Sequence, residues 1–187
     1  MKKTILAICV AATAVVALPA MAAGNQADLV IHGQVFDDSE SCNVTQAGAL
    51  VNNTVILDDI RADVLEGLAI NSPSLAAAKD VVYKVEDCKT GGANYSGNLN
   101  VNISGDALSD MPDVLLNQIA TGAAQNASVT LINRDNSRIN FDGSHNQTVA
   151  YQYGTPTYLR YKATYVRTAE NVAAGEVKGT AVMTISY

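Results

Sequence analysis

Apolar residues recur in this chain at every second position. Leu29, Ile31, Gly33 and Val35 alternate with polar or neutral neighbours; so do Val81, Tyr83 and Val85; Leu99, Val101 and Ile103; Val129 and Leu131; Ile139 and Phe141; and Leu159, Tyr161, Ala163 and Tyr165. Successive side chains of an extended backbone point to opposite faces, so each run can bury one face as a strand of a sheet. Turn-forming clusters separate the runs: Asn52-Asn53, Thr90-Gly91-Gly92, Ser104-Gly105-Asp106, Arg134-Asp135-Asn136-Ser137, Asp142-Gly143-Ser144 and Gly154-Thr155-Pro156. That spacing predicts an all-β sandwich or barrel. Two stretches depart from it. Asp58 to Leu68 carries Ile60, Val64 and Leu68 at helical spacing, and Ser72-Pro73 precedes Leu75 to Ala78, so each predicts a short helical turn. With no Trp, two Phe and eight Tyr, the core must be built from Val, Ile, Leu, Ala and Tyr, a vocabulary that favours strands.

The first residues form a separate unit. Lys2-Lys3 is a short positive region, Thr4 to Leu18 is an apolar run too short to span a bilayer comfortably, and Ala20-Met21-Ala22 is a small-x-small cleavage signal. Residues 1–22 therefore read as a secretory signal peptide, the alternative being a membrane anchor. Its removal makes a chain of formal charge −6 more acidic still, and without a Lys/Arg cluster elsewhere nucleic acid is not an expected partner. Cys9 leaves with the signal. Cys42 and Cys88, 46 positions apart, remain as an even pair in an oxidising space and are expected to form a disulfide. The rival reading, two metal ligands, lacks any Cys-x-x-Cys or His-x-x-x-His spacing.

A search for chemistry yields no Gly-x-Ser-x-Gly elbow, no Walker loop, no dinucleotide fingerprint and no unpaired cysteine nucleophile in the exported chain. Neither catalytic residues, cofactor nor metal are expected. Asp37-Asp38, Asp58-Asp59 and Glu86-Asp87 read as solvated turns, because adjacent strand residues face opposite ways. His32 falls on the polar side of its alternation. Asn43-Val44-Thr45 and Asn126-Ala127-Ser128 match a glycosylation triplet but carry no role in this reading.

The two ends hold the most informative pattern. A strand-like segment, Ala23 to Phe36, precedes Cys42; at the other end Val177, Gly179, Ala181, Met183, Ile185 and Tyr187 alternate to the last residue. With Gly33 in the N-terminal register, a second Cys closing Val81 to Cys88, a middle segment Val129 to Ile139, and Gly175 twelve positions before Tyr187, the whole exported chain resembles fimbrial subunits of the chaperone–usher pathway, especially type 1-like pilins. In that family the terminal-region Tyr is usually penultimate, whereas Tyr187 is last.

The resemblance implies an incomplete immunoglobulin-like sandwich lacking its last strand and completed by donor-strand complementation. It implies a signal peptide at 1–22, a donor extension at 23–35 and a pilin domain at 36–187. Ala27, Leu29, Ile31, Gly33 and Val35 would enter a neighbour's groove; the donor segment would not fold back onto its own domain. Gly175, Val177, Gly179, Ala181, Met183, Ile185 and Tyr187 would border the groove and pair first with a periplasmic chaperone. Further implied partners are an outer-membrane usher, other copies of the chain and other fimbrial subunits, on a route through the periplasm to a fimbrium at the cell surface. The expected function is structural rather than enzymatic. The alternative is an adhesive subunit with a host-surface receptor.

Overall fold

This computed structural model describes residues 27–33, 40–48 and 52–187. The expected signal peptide at 1–22, residues 23–26, Val35 and Asp37-Asp38 lie outside the described residues. The described chain forms β1 (Ala27–Gly33), β2 (Glu40–Gly48), β3 (Thr54–Leu57), α1 (Ala62–Glu66), β4 (Lys79–Thr90), β5 (Ala93–Asn94), β6 (Gly97–Gly105), β7 (Ala107–Leu108), β8 (Met111–Leu115), β9 (Ala127–Ile132), β10 (Asp142–Tyr151), β11 (Thr157–Arg167) and β12 (Val177–Ser186). One sheet has the order β10-β6-β12-β1-β3; the other runs β2-β4-β11-β9-β8-β7, with β5 on the end of β4.

The two sheets bury the alternating faces against each other. Leu99, Val101 and Ile103 of β6 meet Val81, Tyr83 and Val85 of β4, Val129 and Leu131 of β9, and Leu159, Tyr161 and Tyr165 of β11 in one core. Of the outward partners in β6, Asn98 and Asn100 are exposed and Asn102 and Ser104 half-buried. β9 is buried on both faces, and its outward hydroxyls are satisfied: Ser128 donates to Leu115 O and Thr130 to Asp113 O. A buried hydroxyl without a partner would cost about 1–3 kcal/mol.

Cys42 and Cys88 form the predicted disulfide between β2 and β4. It sits at a register shift at Ser41/Asn43, opposite which Asp87 takes a left-handed conformation at φ 53°. The predicted helical turns are present but short: α1, and a single 3-10 turn at Leu75–Ala77.

Ile139 and Phe141 depart from expectation. Both are buried, but they lie in a connection before β10, with Ile139 N–H bonded to Leu131 O and Phe141 N–H to Pro112 O. The strand is instead Asp142–Tyr151, an edge whose mostly polar side chains lack an apolar alternation. The predicted Asp142-Gly143-Ser144 turn survives locally as a bulge at its start, where Asp142 Oδ1 accepts the Ser144 N–H and Gly143 has φ 83°.

Candidate strand-acceptor site

β12 carries the expected face: Val177, Gly179, Ala181 and Met183 are buried, Ile185 is half-buried, and the intervening residues are more exposed. On one side β6 pairs with it only from Ala181 onward. Its first half is held there by a connecting segment instead, with Gln118 N–H donating to Lys178 O and Lys178 N–H to Asn117 Oδ1.

Two glycines let this strand lie close. A Cβ on Gly179 would stand 2.8 Å from Leu115 Cβ and 2.8 Å from Val129 Cγ2, so β12 approaches the opposite sheet to a distance only glycine permits. A Cβ on Gly175 would collide with the Gly122–Ala124 backbone, which pairs with Glu176 through Glu176 N–H to Gly122 O and Ala124 N–H to Glu176 O.

The other edge of β12 faces a slot whose far wall is β3, with Val55 and Leu57 buried. β1 occupies that slot. It runs parallel to β12 with Ala27 opposite Val177, Leu29 opposite Gly179, Ile31 opposite Ala181 and Gly33 opposite Met183, and antiparallel to β3 from Ala27↔Leu57 to Val30↔Thr54. The structure thus registers four of the expected donor positions against the expected groove strand, within one chain. His32 is opposite Val182. The expectation that the extension stays off its own domain is not met. A slot walled by two strand edges leaves backbone donors and acceptors unpaired, and a segment joined to β2 through residues 34–39 is present at high effective concentration.

Both ends of the slot are tied down. At the C-terminus, Tyr187 packs on Tyr95 with ring centroids 4.6 Å apart and donates its hydroxyl to Lys89 O. Tyr95 stacks on Tyr151, whose hydroxyl accepts the Cys88 N–H, so the last residue is linked to the disulfide strand. At the other end a small apolar pocket lined by Ile60, Leu65, Ala127, Tyr165, Val172 and Val177 opens where β1 begins. Beside Val172, Glu66 Oε2 accepts the Val172 N–H and Oε1 the Asn171 N–H. The Val172 hydrogen bond above all, with that from Asn171 and the Arg167 charge, holds the Glu66 carboxyl below its ordinary range against the opposing effect of desolvation. Arg167 also caps the end of α1 through Glu66 O and Leu68 O, both at 2.7 Å. Sequence reasoning missed this anchor and β3. The signal available for β3 was the pair Val55 and Leu57 directly after the Asn52-Asn53 turn, both of whose residues have positive φ.

Among the described residues, no group of three or more His, Cys, Asp or Glu could hold a metal ion, and no helix is long and apolar enough to cross a membrane. What the site offers is backbone pairing along two strand edges above an apolar floor.

These two facing sheets, with a strand slot beside the C-terminal strand, place the molecule among immunoglobulin-like pilin subunits. A chain of a solved chaperone–usher pilus matches it with a TM-score of 0.57 at 18% identity, over 83% of this chain and 91% of that one. A Burkholderia pseudomallei antigen and type I fimbria protein matches at 0.53 and 18% identity, over 87% and 94%. The chain belongs to the fimbrial protein family, whose model matches residues 29–187. Long polar fimbria protein A of Salmonella typhimurium is 27% identical over 191 aligned residues, covering 100% of this chain and 97% of that protein. By contrast, the chain spans only 36% of the length of a Pseudomonas aeruginosa tip adhesin that it also matches.

Proposed function

We propose that this fimbrial subunit polymerises by passing its N-terminal strand to the slot of a neighbouring copy. A periplasmic chaperone fills the slot beforehand, and an outer-membrane usher is the site of exchange on the way to the cell surface. The observation that supports this is the position of β1. It is the first described strand and lies between β12 and β3; apart from it, β10-β6-β12 still faces the second sheet, and β3, whose strand pairing is with β1, is left as the unpaired far wall of the slot. Such an element can be replaced by the same element of another copy without new chemistry, and a head-to-tail repeat of that contact grows an open filament.

The sense of the strand gives exchange a direction. Here β1 makes its seven registered pairs with β12 in parallel and its four with β3 in antiparallel. Parallel pairing is slightly less stable per residue. An incoming strand of opposite sense places the favourable antiparallel ladder on the longer side, so the self-filled subunit is the weaker of the two arrangements.

The test is a chain lacking residues 23–35, mixed with a synthetic peptide of residues 25–36. The peptide is expected to form a one-to-one complex and raise the melting temperature, and an Ile31→Asp peptide to fail. The same segment appended after Tyr187 through a Gly-rich linker should restore a soluble monomer. A deleted chain that melts like the full one and ignores the peptide refutes the proposal.

A further inference from the structure

Away from the slot, at the opposite edge of the first sheet, β10 lies beside a stretch of β11 that has a free side. β9 pairs with β11 only from Lys162 onward, so Thr157–Tyr161 is paired with β4 on one side and, among the described residues, with no strand on the other. The groove between this stretch and β10 is lined by Arg134, His145, Gln147, Tyr158 and Arg160, and it continues past Arg160 to Lys162.

Its charge runs against that of the molecule. Among the described residues Arg61, Lys79, Lys84, Arg138 and Arg167 are in ion pairs, whereas Lys89, Arg134, Arg160, Lys162 and Lys178 are in none. Three of these five unpaired cations gather here, in a chain of formal charge −6. The carboxylates that face them are Asp80, opposite Lys162 across the β4–β11 ladder, and Asp135. Asp135 is engaged within its own turn by the Ser137 hydroxyl at 2.6 Å and the Ser137 N–H at 2.9 Å.

The remaining lining is suited to hydroxyl-bearing ligands. The Arg160 guanidinium lies over one face of the Tyr158 ring, 5.0 Å from its centroid, and Tyr158 as a residue is 46% exposed. Asn133, Asn146 and Gln147 add amides, and His145 Nε2 is buried without a hydrogen-bond partner. Burial lowers the His145 pKa below its ordinary value, which disfavours the charged ring.

We infer that this groove binds an anionic glycan, with Arg134, Arg160 and Lys162 holding carboxylate or sulfate groups and Tyr158 offering a face for a sugar ring. Guanidinium forks match both anions in bidentate geometry. Amides and an aromatic face suit a polyhydroxylated chain better than a peptide, whose side chains need apolar pockets. The site is at the far edge of the sheet from β1 and β3, so it does not depend on the polymerisation reading, and a filament would present it once per subunit.

The experiment titrates the purified full chain with heparin, polysialic acid, uncharged dextran and polyglutamate at two salt concentrations. Binding of heparin, polysialic acid or both, weakened by salt and absent with dextran, is expected, and the preferred probe identifies sulfate or carboxylate. Arg134→Ala with Arg160→Ala should weaken that binding by about tenfold or more, while Lys178→Ala, at an unpaired cation elsewhere, should leave it unchanged. The inference is overturned if neither glycan binds, if Lys178→Ala costs as much as the arginine pair, or if polyglutamate binds as tightly with the same sensitivity. Equal melting temperatures for the variants establish that a loss is local.

Discussion

Replacing Gly179 by alanine tests whether the close approach of β12 to the opposite sheet is what shapes the slot. The new methyl carbon would lie 2.8 Å from Leu115 Cβ, 2.8 Å from Val129 Cγ2 and 2.9 Å from Leu115 Cδ1. Comfortable carbon–carbon contacts begin at about 3.5 Å, so each pair overlaps. Rotamer changes cannot relieve this. Leu115 Cβ is attached to the backbone, Leu115 and Val129 are fully buried, and the two residues are paired across β8 and β9. One strand must shift, and overpacking of this kind costs about 1–3 kcal/mol. The loss of glycine's freedom in the unfolded chain returns about 0.4–1 kcal/mol. Taking the middle of each range, the net expectation is a destabilisation of about 1.3 kcal/mol, which for a domain of this size lowers the melting temperature by about 3–5 °C. Calorimetry on the disulfide-intact chain measures it, with Thr184→Ala on the exposed face as control. Binding of the 25–36 peptide to the deleted chain should weaken in parallel. A Gly179→Ala chain as stable as the parent, or a control that falls as far, refutes the close-approach argument.

Opening the 46-position loop by replacing Cys42 and Cys88 with serine should lower stability by about 4 kcal/mol on the chain-entropy model, read by denaturant unfolding against the oxidised parent. Burial raises Tyr83 to about 12, and burial with the nearby Asp59 and Asp58 charges raises Tyr165 to about 12, from an ordinary 10.0. Their contribution is therefore full below the unfolded value and lost as pH climbs from there toward about 12. Phenolate absorbance should rise together with loss of structure in that window; ionisation of these tyrosines near 10.0 with the fold intact contradicts it. On the proposed reading, Ile185→Asp places a charge on the half-buried end of β12 and should abolish co-purification with the chaperone; normal recovery of the complex counts against a role for this strand in capture.

Much of the sandwich was legible because alternation reports which face of a strand is buried. The runs in β4, β6, β11 and β12 all lie in strands whose apolar members form the core. The same logic fails for β10, since an edge strand carrying Ser144, His145, Asn146, Gln147 and Thr148 has little apolar face to show. It fails differently at Ile139 and Phe141, whose side chains pack into the core from a connection held by backbone bonds to Leu131 and Pro112 and not from a strand ladder. Arg167 and Glu66, far apart in the chain, meet only because α1 folds over β11, so no local pattern announces them.

The amino-acid order is sufficient for the all-β class, the disulfide, the alternating face of the last strand and the small residues within it. Each is a local property: period two, cysteine parity, or a missing side chain. Which strands become neighbours is not local. Backbone hydrogen bonds are nearly the same for every residue, so the segment Ala27–Gly33 carries no mark saying whether β12 lies beside it or which way it runs. The folded sandwich decides both: β3 stands across the slot from β12, Gly179 draws β12 onto Leu115 and Val129, and β1 lies between the two edges, parallel to β12 and antiparallel to β3.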